Sequence, residues 1–193
     1  TNKTGVLLVS HGSHSPSWRK MLLDVQRQVE PRLLTQPGVA GVKSAFMEYS
    51  EPSIGTQLRA FDEEGYSDVV LVPLLLTVSS HSFDDIPTII GAKDDAKAML
   101  ELSSQGIERY SPVARVTTTP LLEFSSLLDE NLPRRIATLS LNPAREGVVL
   151  VAYGEKAYAA AQRARRQVVD VANLNATWRF HERATPGLAG WAE

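Results

Sequence analysis

The sequence predicts an α/β protein made of two similar halves, each with a parallel β-sheet flanked by helices. Three observations carry that expectation. Short apolar runs rich in β-branched residues alternate with stretches of helical periodicity. Three chemistry-bearing side chains, His11, Glu48 and His81, follow the ends of three successive runs. The opening of the chain also recurs near its end: GVLLVSHGSHSPSW at 5–18 resembles GVVLVAYGEKAYAA at 147–160, and VKSAFMEYSEPS at 42–53 resembles ATWRFHERATPG at 176–187.

The elements follow in order. Val6–Ser10 (VLLVS) is apolar and β-branched and reads as a buried strand. The loop HGSHSP leads to a helix, with Ser15 placed to cap it and Pro16 to occupy its first turn. Met21, Val25, Val29 and Leu33 recur every four residues and predict its buried face, while Pro31 is a potential kink near its end. Val42–Met47 is the second predicted strand, with Glu48 at its carboxyl end. Pro52 opens the next helix, Ile54, Leu58 and Phe61 share one face, and Gly65 closes it. Asp68–Pro73 (DVVLVP) is the clearest strand, followed by the loop LLLTVSSHS. DDIPTIIG and the 93–105 stretch read as helical, Ala114–Thr118 as a weaker fourth strand, and Pro120–Leu132 as a further helix.

The two echoes need offsets of 142 and 134, so an eight-residue difference falls in the connecting helix. Phe180 and Glu182 match Phe46 and Glu48, but Tyr153 stands in the place of His11. Residues 1–133 are therefore read as the half that carries the chemistry, and 134–193 as a degenerate repeat. With eleven residues after Glu182, that second half reads as incomplete, truncated or naturally short.

Composition narrows the function. Hydrophobic residues make up 43% of the 193, enough for a packed interior. A net charge of −2 supplies no global basic field for nucleic acid or an anionic membrane. Residues 1–133 hold 11 Lys/Arg against 17 Asp/Glu, and 134–193 hold 9 against 5, so the second part is locally basic. With no cysteine, disulfides, thiolate metal sites, iron–sulfur clusters and cysteine nucleophiles are excluded, and a reducing cytoplasmic location fits. The TNKTG start lacks the apolar stretch of a signal peptide, and no run approaches the roughly 18 apolar residues of a membrane helix.

Ligands of parallel α/β sheets bind at the carboxyl ends of the strands. His11, Glu48 and His81 lie there although 37 and 33 residues separate them. Imidazole binds Co²⁺, Ni²⁺, Fe²⁺ and Zn²⁺, and a carboxylate adds charge and accepts protons. A set of two or three ligands stays open, as a catalytic or transfer site must. Each residue alone has a plainer reading: a loop histidine is a polar surface group, and Glu48 is an acid ahead of a helix. Asp84 and Asp85 follow His81 closely; capping of the next helix is favoured over orienting His81. His181 reads as an alternating strand residue, and Arg163, Arg165 and Arg166 as a solvated helix face. LLVSHGS is not GxSxG, no phosphate-binding GxxxxGK[ST] exists, and the arginine that precedes HG in histidine phosphatases is missing.

LLVSHGS, AFMEYSEPSI and LVPLLLTVSSHSFDDIP, in that order and spacing, resemble the CbiX/SirB-type class II chelatases of sirohydrochlorin, closely over residues 5–91 and loosely in the later echo. The resemblance implies two α/β halves with a cleft between them, here in the long fused form. It implies metal-binding histidines at His11 and His81 with Glu48 as their acidic partner, and substrate contacts from Ser10, Gly12, Ser13, His14, Ser79 and Ser80. The implied reaction is insertion of Co²⁺ or Fe²⁺, with Ni²⁺ as a close variant, into sirohydrochlorin for cobalamin or sirohaem. It calls for no organic cofactor: the divalent metal is a substrate. The partner is a small-molecule tetrapyrrole, with no nucleic acid and no membrane, for a monomer or a homodimer. Basic residues after 133 would suit its many carboxylates. The alternative is a non-catalytic tetrapyrrole or metal carrier using the same histidines; a third reading is a small hydrolase with His11 as nucleophile.

Overall fold

The computed structural model describes residues 2–75, 81–121, 124–142, 145–146, 148–154 and 176–182. They form an α/β protein in two compact units, the first running to Leu121 and the second from Leu122. In the first unit β1 (Thr4–Ser10), β2 (Val39–Phe46), β3 (Asp68–Pro73) and β4 (Arg115–Thr118) make one parallel sheet in the order β2-β1-β3-β4. Helices α1 (Pro16–Leu33), α2 (Ile54–Glu63), α3 (Ile86–Ile89) and α4 (Ala96–Ser104) connect them, with a turn of π-helix at His81–Asp85.

β1 is flanked by a strand on each side, and its apolar residues are buried on both faces of the sheet. Leu7 and Val9 point to one face, where Ala45, Val69 and Leu71 join Ile54, Leu58 and Phe61 of α2, Ile86 and Ile89 of α3, and Leu102 of α4. Val6 and Leu8 point to the other, with Val42 and with Val29 and Leu33 of α1 packed against them. This alternation is the period-two geometry of a strand, here apolar in both phases.

Most boundaries match the sequence expectations. Ser15 Oγ accepts from the Trp18 amide and Pro16 starts α1. Ser53 rather than Pro52 caps α2, its Oγ accepting from the Thr56 amide at 3.1 Å. Two expectations are corrected. Met21 is exposed and α1 has no fully buried residue; only Val29 and Leu33 of the expected stripe reach the sheet cluster. An 18-residue helix is about 27 Å long and outruns the roughly 23 Å of a seven-residue strand, so it cannot be covered along its whole length by one strand. Pro31 lies inside α1, near its end, where the sequence places it. The helix expected over 120–132 is α5 (Phe124–Leu139), which starts later and continues through Pro133.

In the second unit, β5 (Val148–Gly154) and β6 (Ala176–Glu182) form a two-stranded parallel sheet. Its register repeats the first. Val6 pairs with Val42 and Ser10 with Phe46; the echo offsets carry these pairs to Val148–Ala176 and Ala152–Phe180, which are the pairs observed. Residues 155–175, where the eight-residue difference falls and where Arg163, Arg165 and Arg166 lie, are outside the described residues.

Candidate metal centre

Three adjacent strands, β2, β1 and β3, end on the same side of the sheet because they are parallel. The β1–β2 ladder continues one step beyond both strands: the Met47 amide donates to the Ser10 carbonyl at 2.9 Å and the Glu48 amide to the His11 carbonyl at 3.1 Å. That continuation sets His11 and Glu48 side by side. Gly12 makes it possible. Its φ is +104°, and a Cβ there would stand 1.9 Å from the Glu48 carbonyl oxygen, so only glycine allows the loop to pass.

His11 Nε2 lies 2.7 Å from Glu48 Oε1. The other ring nitrogen, Nδ1, is 3.3 Å from the Gly12 carbonyl, which can only accept. A neutral imidazole has one proton to donate. If it serves Gly12, the Nε2 lone pair faces a carboxylate, and that pair of acceptors is satisfied by a cation, either a second proton or a metal ion.

His81 opens the π-helical turn, a rare geometry that is frequent at functional sites. Its Nδ1 is 2.8 Å from Oδ2 of Asp85, a buried residue. A carboxylate accepts only, so Nδ1 carries a proton, and in the neutral ring Nε2 keeps its lone pair. Asp85 precedes α3 but makes no side-chain capping bond, which corrects the favoured sequence expectation. Asp84 instead pairs with Lys93 Nζ at 2.5 Å, and that ion pair holds the lysine above its usual pKa.

His11, Glu48 and His81 each offer a ligand atom, and these atoms lie within 4.8 Å of one another. Among the described residues no other group of three histidines or acids does so. The two imidazole rings meet edge-on at 4.9 Å. The histidine side chains are 41% and 35% exposed and that of Glu48 only 9%, so the carboxylate forms the floor of a set open above. Three ligands with an open side fit an ion that must pass on, rather than a closed structural site.

The remaining expected residues are spread around this set. Ser10 is buried at the end of β1, and Gly12 is buried below Glu48. Ser13 Oγ accepts from the Ser15 amide. His14 is exposed, its ring 4.7 Å from that of Tyr49. Ser79 and Ser80 lie outside the described residues. His181 pairs in register with Tyr153 on β6 and β5. Tyr49, which the sequence reading did not single out, places its ring beside those of His11 and His14. Among the described residues no helix is long and apolar enough to cross a membrane.

Comparison with known proteins bears on the family and the fold. A family model described as CbiX matches residues 5–139. A protein of Methanosarcina barkeri named sirohydrochlorin cobaltochelatase is 29% identical over 107 residues, 55% of this chain and 79% of that one. A Saccharolobus solfataricus protein of the same name is 26% identical over 132 residues, 68% of this chain and 92% of its own. Among solved structures, SirB from Bacillus subtilis with Fe³⁺ superposes with a TM-score of 0.72 at 18% identity, covering 98% of this chain and 69% of that one. The sirohydrochlorin chelatase SirB from Bacillus subtilis subspecies spizizenii in complex with cobalt gives 0.66 at 17%, covering 92% and 67%. At these identities the two structures establish the shared fold.

Proposed function

This chain belongs to the CbiX family, and from that premise we propose that it is a chelatase that inserts a divalent metal ion, Co²⁺ or Fe²⁺, into sirohydrochlorin, with His11, Glu48 and His81 holding the ion. The observation that carries the reading is the convergence of those three ligand atoms within 4.8 Å at the carboxyl edge of the sheet. The names of the relatives support the substrate.

The chemistry is an exchange. Metal–nitrogen bonds form on the macrocycle, the bonds to His11, Glu48 and His81 break, and both pyrrolic protons leave. No electron moves, so the step as written needs no organic cofactor, and the ion is a substrate. Glu48, the least exposed ligand, anchors the charge of the incoming ion and accepts a proton as the ion departs. His11, freed of metal at Nε2, takes the other, since imidazole accepts protons near neutral pH. Asp85 keeps His81 in the Nδ1–H form, which presents Nε2 as a ligand throughout. Imidazole and carboxylate also accept Ni²⁺, so these donors admit all three metals.

The matching register of β1–β2 and β5–β6 supports reading residues 134–193 as a repeat of the half that carries the site, with Tyr153 in the place of His11.

An anaerobic absorbance time course of the protein with metal-free sirohydrochlorin and Co²⁺, Fe²⁺ or Ni²⁺ tests the reading. Multiple turnovers above the protein-free rate are expected, with His11→Ala and His81→Ala reduced at least about 100-fold and folded by circular dichroism. A change that stops at one equivalent of protein indicates a carrier. Wild-type rates in both variants exclude the assigned residues.

A further inference from the structure

Tyr49 follows Glu48 directly and takes φ +68°, the non-glycine residue at positive φ among those described. That region is disfavoured for a bulky L-residue, because Cβ crowds the following carbonyl. Burial does not compensate: Tyr49 is 56% exposed. Its ring centroid lies 6.0 Å from that of His11 and 4.7 Å from that of His14, both tilted. His11 in turn meets His81. A row of four rings therefore runs from His81 through His11 and Tyr49 to His14. One end carries the candidate metal ligands. The other carries two exposed rings with no ligand role in the reaction as written.

A residue held in a disfavoured backbone state, with its apolar ring facing water, points to a use for that ring. An ion gripped by His11, Glu48 and His81 presents itself to the face of a flat macrocycle, and the macrocycle needs a surface that fixes its height and tilt against the ligands. An aromatic ring is suited to this, since conjugated systems stack in offset or tilted geometry with little loss of side-chain entropy. We propose that Tyr49, with His14 beside it, is a ledge on which the conjugated face of the metal-free tetrapyrrole rests while the ion is delivered. The proposal rests on the chelatase reading above and adds a substrate contact to it.

The test separates substrate binding from metal binding and from folding. Metal-free sirohydrochlorin is titrated with the wild type, Tyr49→Gly and Tyr49→Phe by fluorescence anisotropy without metal. Co²⁺ is titrated separately without tetrapyrrole. Glycine adopts positive φ without strain, so Tyr49→Gly is expected to unfold at an equal or higher temperature. Its Kd for the tetrapyrrole is expected to rise about tenfold, the scale of one lost aromatic stack, with the Kd for Co²⁺ unchanged. Tyr49→Phe keeps the ring and is expected to bind as the wild type does. Wild-type tetrapyrrole affinity in Tyr49→Gly overturns the ledge alone. So does an equal loss of Co²⁺ affinity, which would place Tyr49 in the metal site. If the wild type binds Co²⁺ but no tetrapyrrole, the chelatase reading falls and the ledge with it.

Discussion

Asp85 accepts a hydrogen bond from His81 at 2.8 Å, and its carboxylate leaves the imidazole one choice of tautomer. Removing it lifts that constraint on which nitrogen carries the proton. Asp85→Ala is therefore expected to weaken Co²⁺ binding about 10–100-fold while the far-ultraviolet circular dichroism stays that of the wild type. Isothermal titration checks this, and an unchanged Kd would reduce Asp85 to a buried acid with no bearing on the site. The sequence put Asp85 four residues after His81, within reach on any helical turn. It did not decide between capping α3 and holding the histidine. That choice depends on a rotamer and on the π-helical geometry of His81–Asp85, neither of which has a periodic signature.

The elements that position the site are those with the strongest sequence patterns. β3 is the apolar run DVVLVP, buried at every second residue, and α2 places Ile54, Leu58 and Phe61 on one buried face. Phe61 is central to that face: it is fully buried, meets Tyr66 edge-on at 4.8 Å, and lies so close to β1 that a Cβ on Gly5 would be 2.3 Å from its ring. Phe61→Ala is expected to cost about 3–5 kcal/mol, read as a lower urea midpoint at unchanged slope. A loss below about 1 kcal/mol would mean that the sheet and α2 close over the void. α1 was less legible because its apolar stripe continues past the residues that reach the sheet, and a stripe does not say where its cover stops. The end of α5 was missed because Pro133 reads as a terminator from local rules alone.

At the scale of the whole molecule, an ion that binds the folded site and not the unfolded chain adds stability by mass action. At free Co²⁺ about 100 times its Kd the gain is about 2.7 kcal/mol. The melting temperature of the wild type is expected to rise with Co²⁺, and that of His11→Ala to stay level. An equal rise in both would place the ion elsewhere. The second unit carries the same logic at the level of backbone: β5 and β6 pair in the register that the echo of 5–18 and 42–53 specifies. A repeat in sequence foretells register because strand pairing follows the side-chain pattern, and a one-residue slip would invert every side chain.

Sequence by itself determined the α/β class, the three strands whose ends converge, and the choice of His11, Glu48 and His81 as candidate ligands, since apolar periodicity and residue chemistry are local and written in order along the chain. Only the tertiary structure decided that β1 lies between β2 and β3, that Gly12 passes beneath Glu48, that Asp85 serves His81 rather than a helix end, and that Tyr49 stands exposed in a disfavoured conformation. Those are contacts and torsions between segments distant in sequence or irregular in geometry, and they are set by packing, which no local pattern encodes.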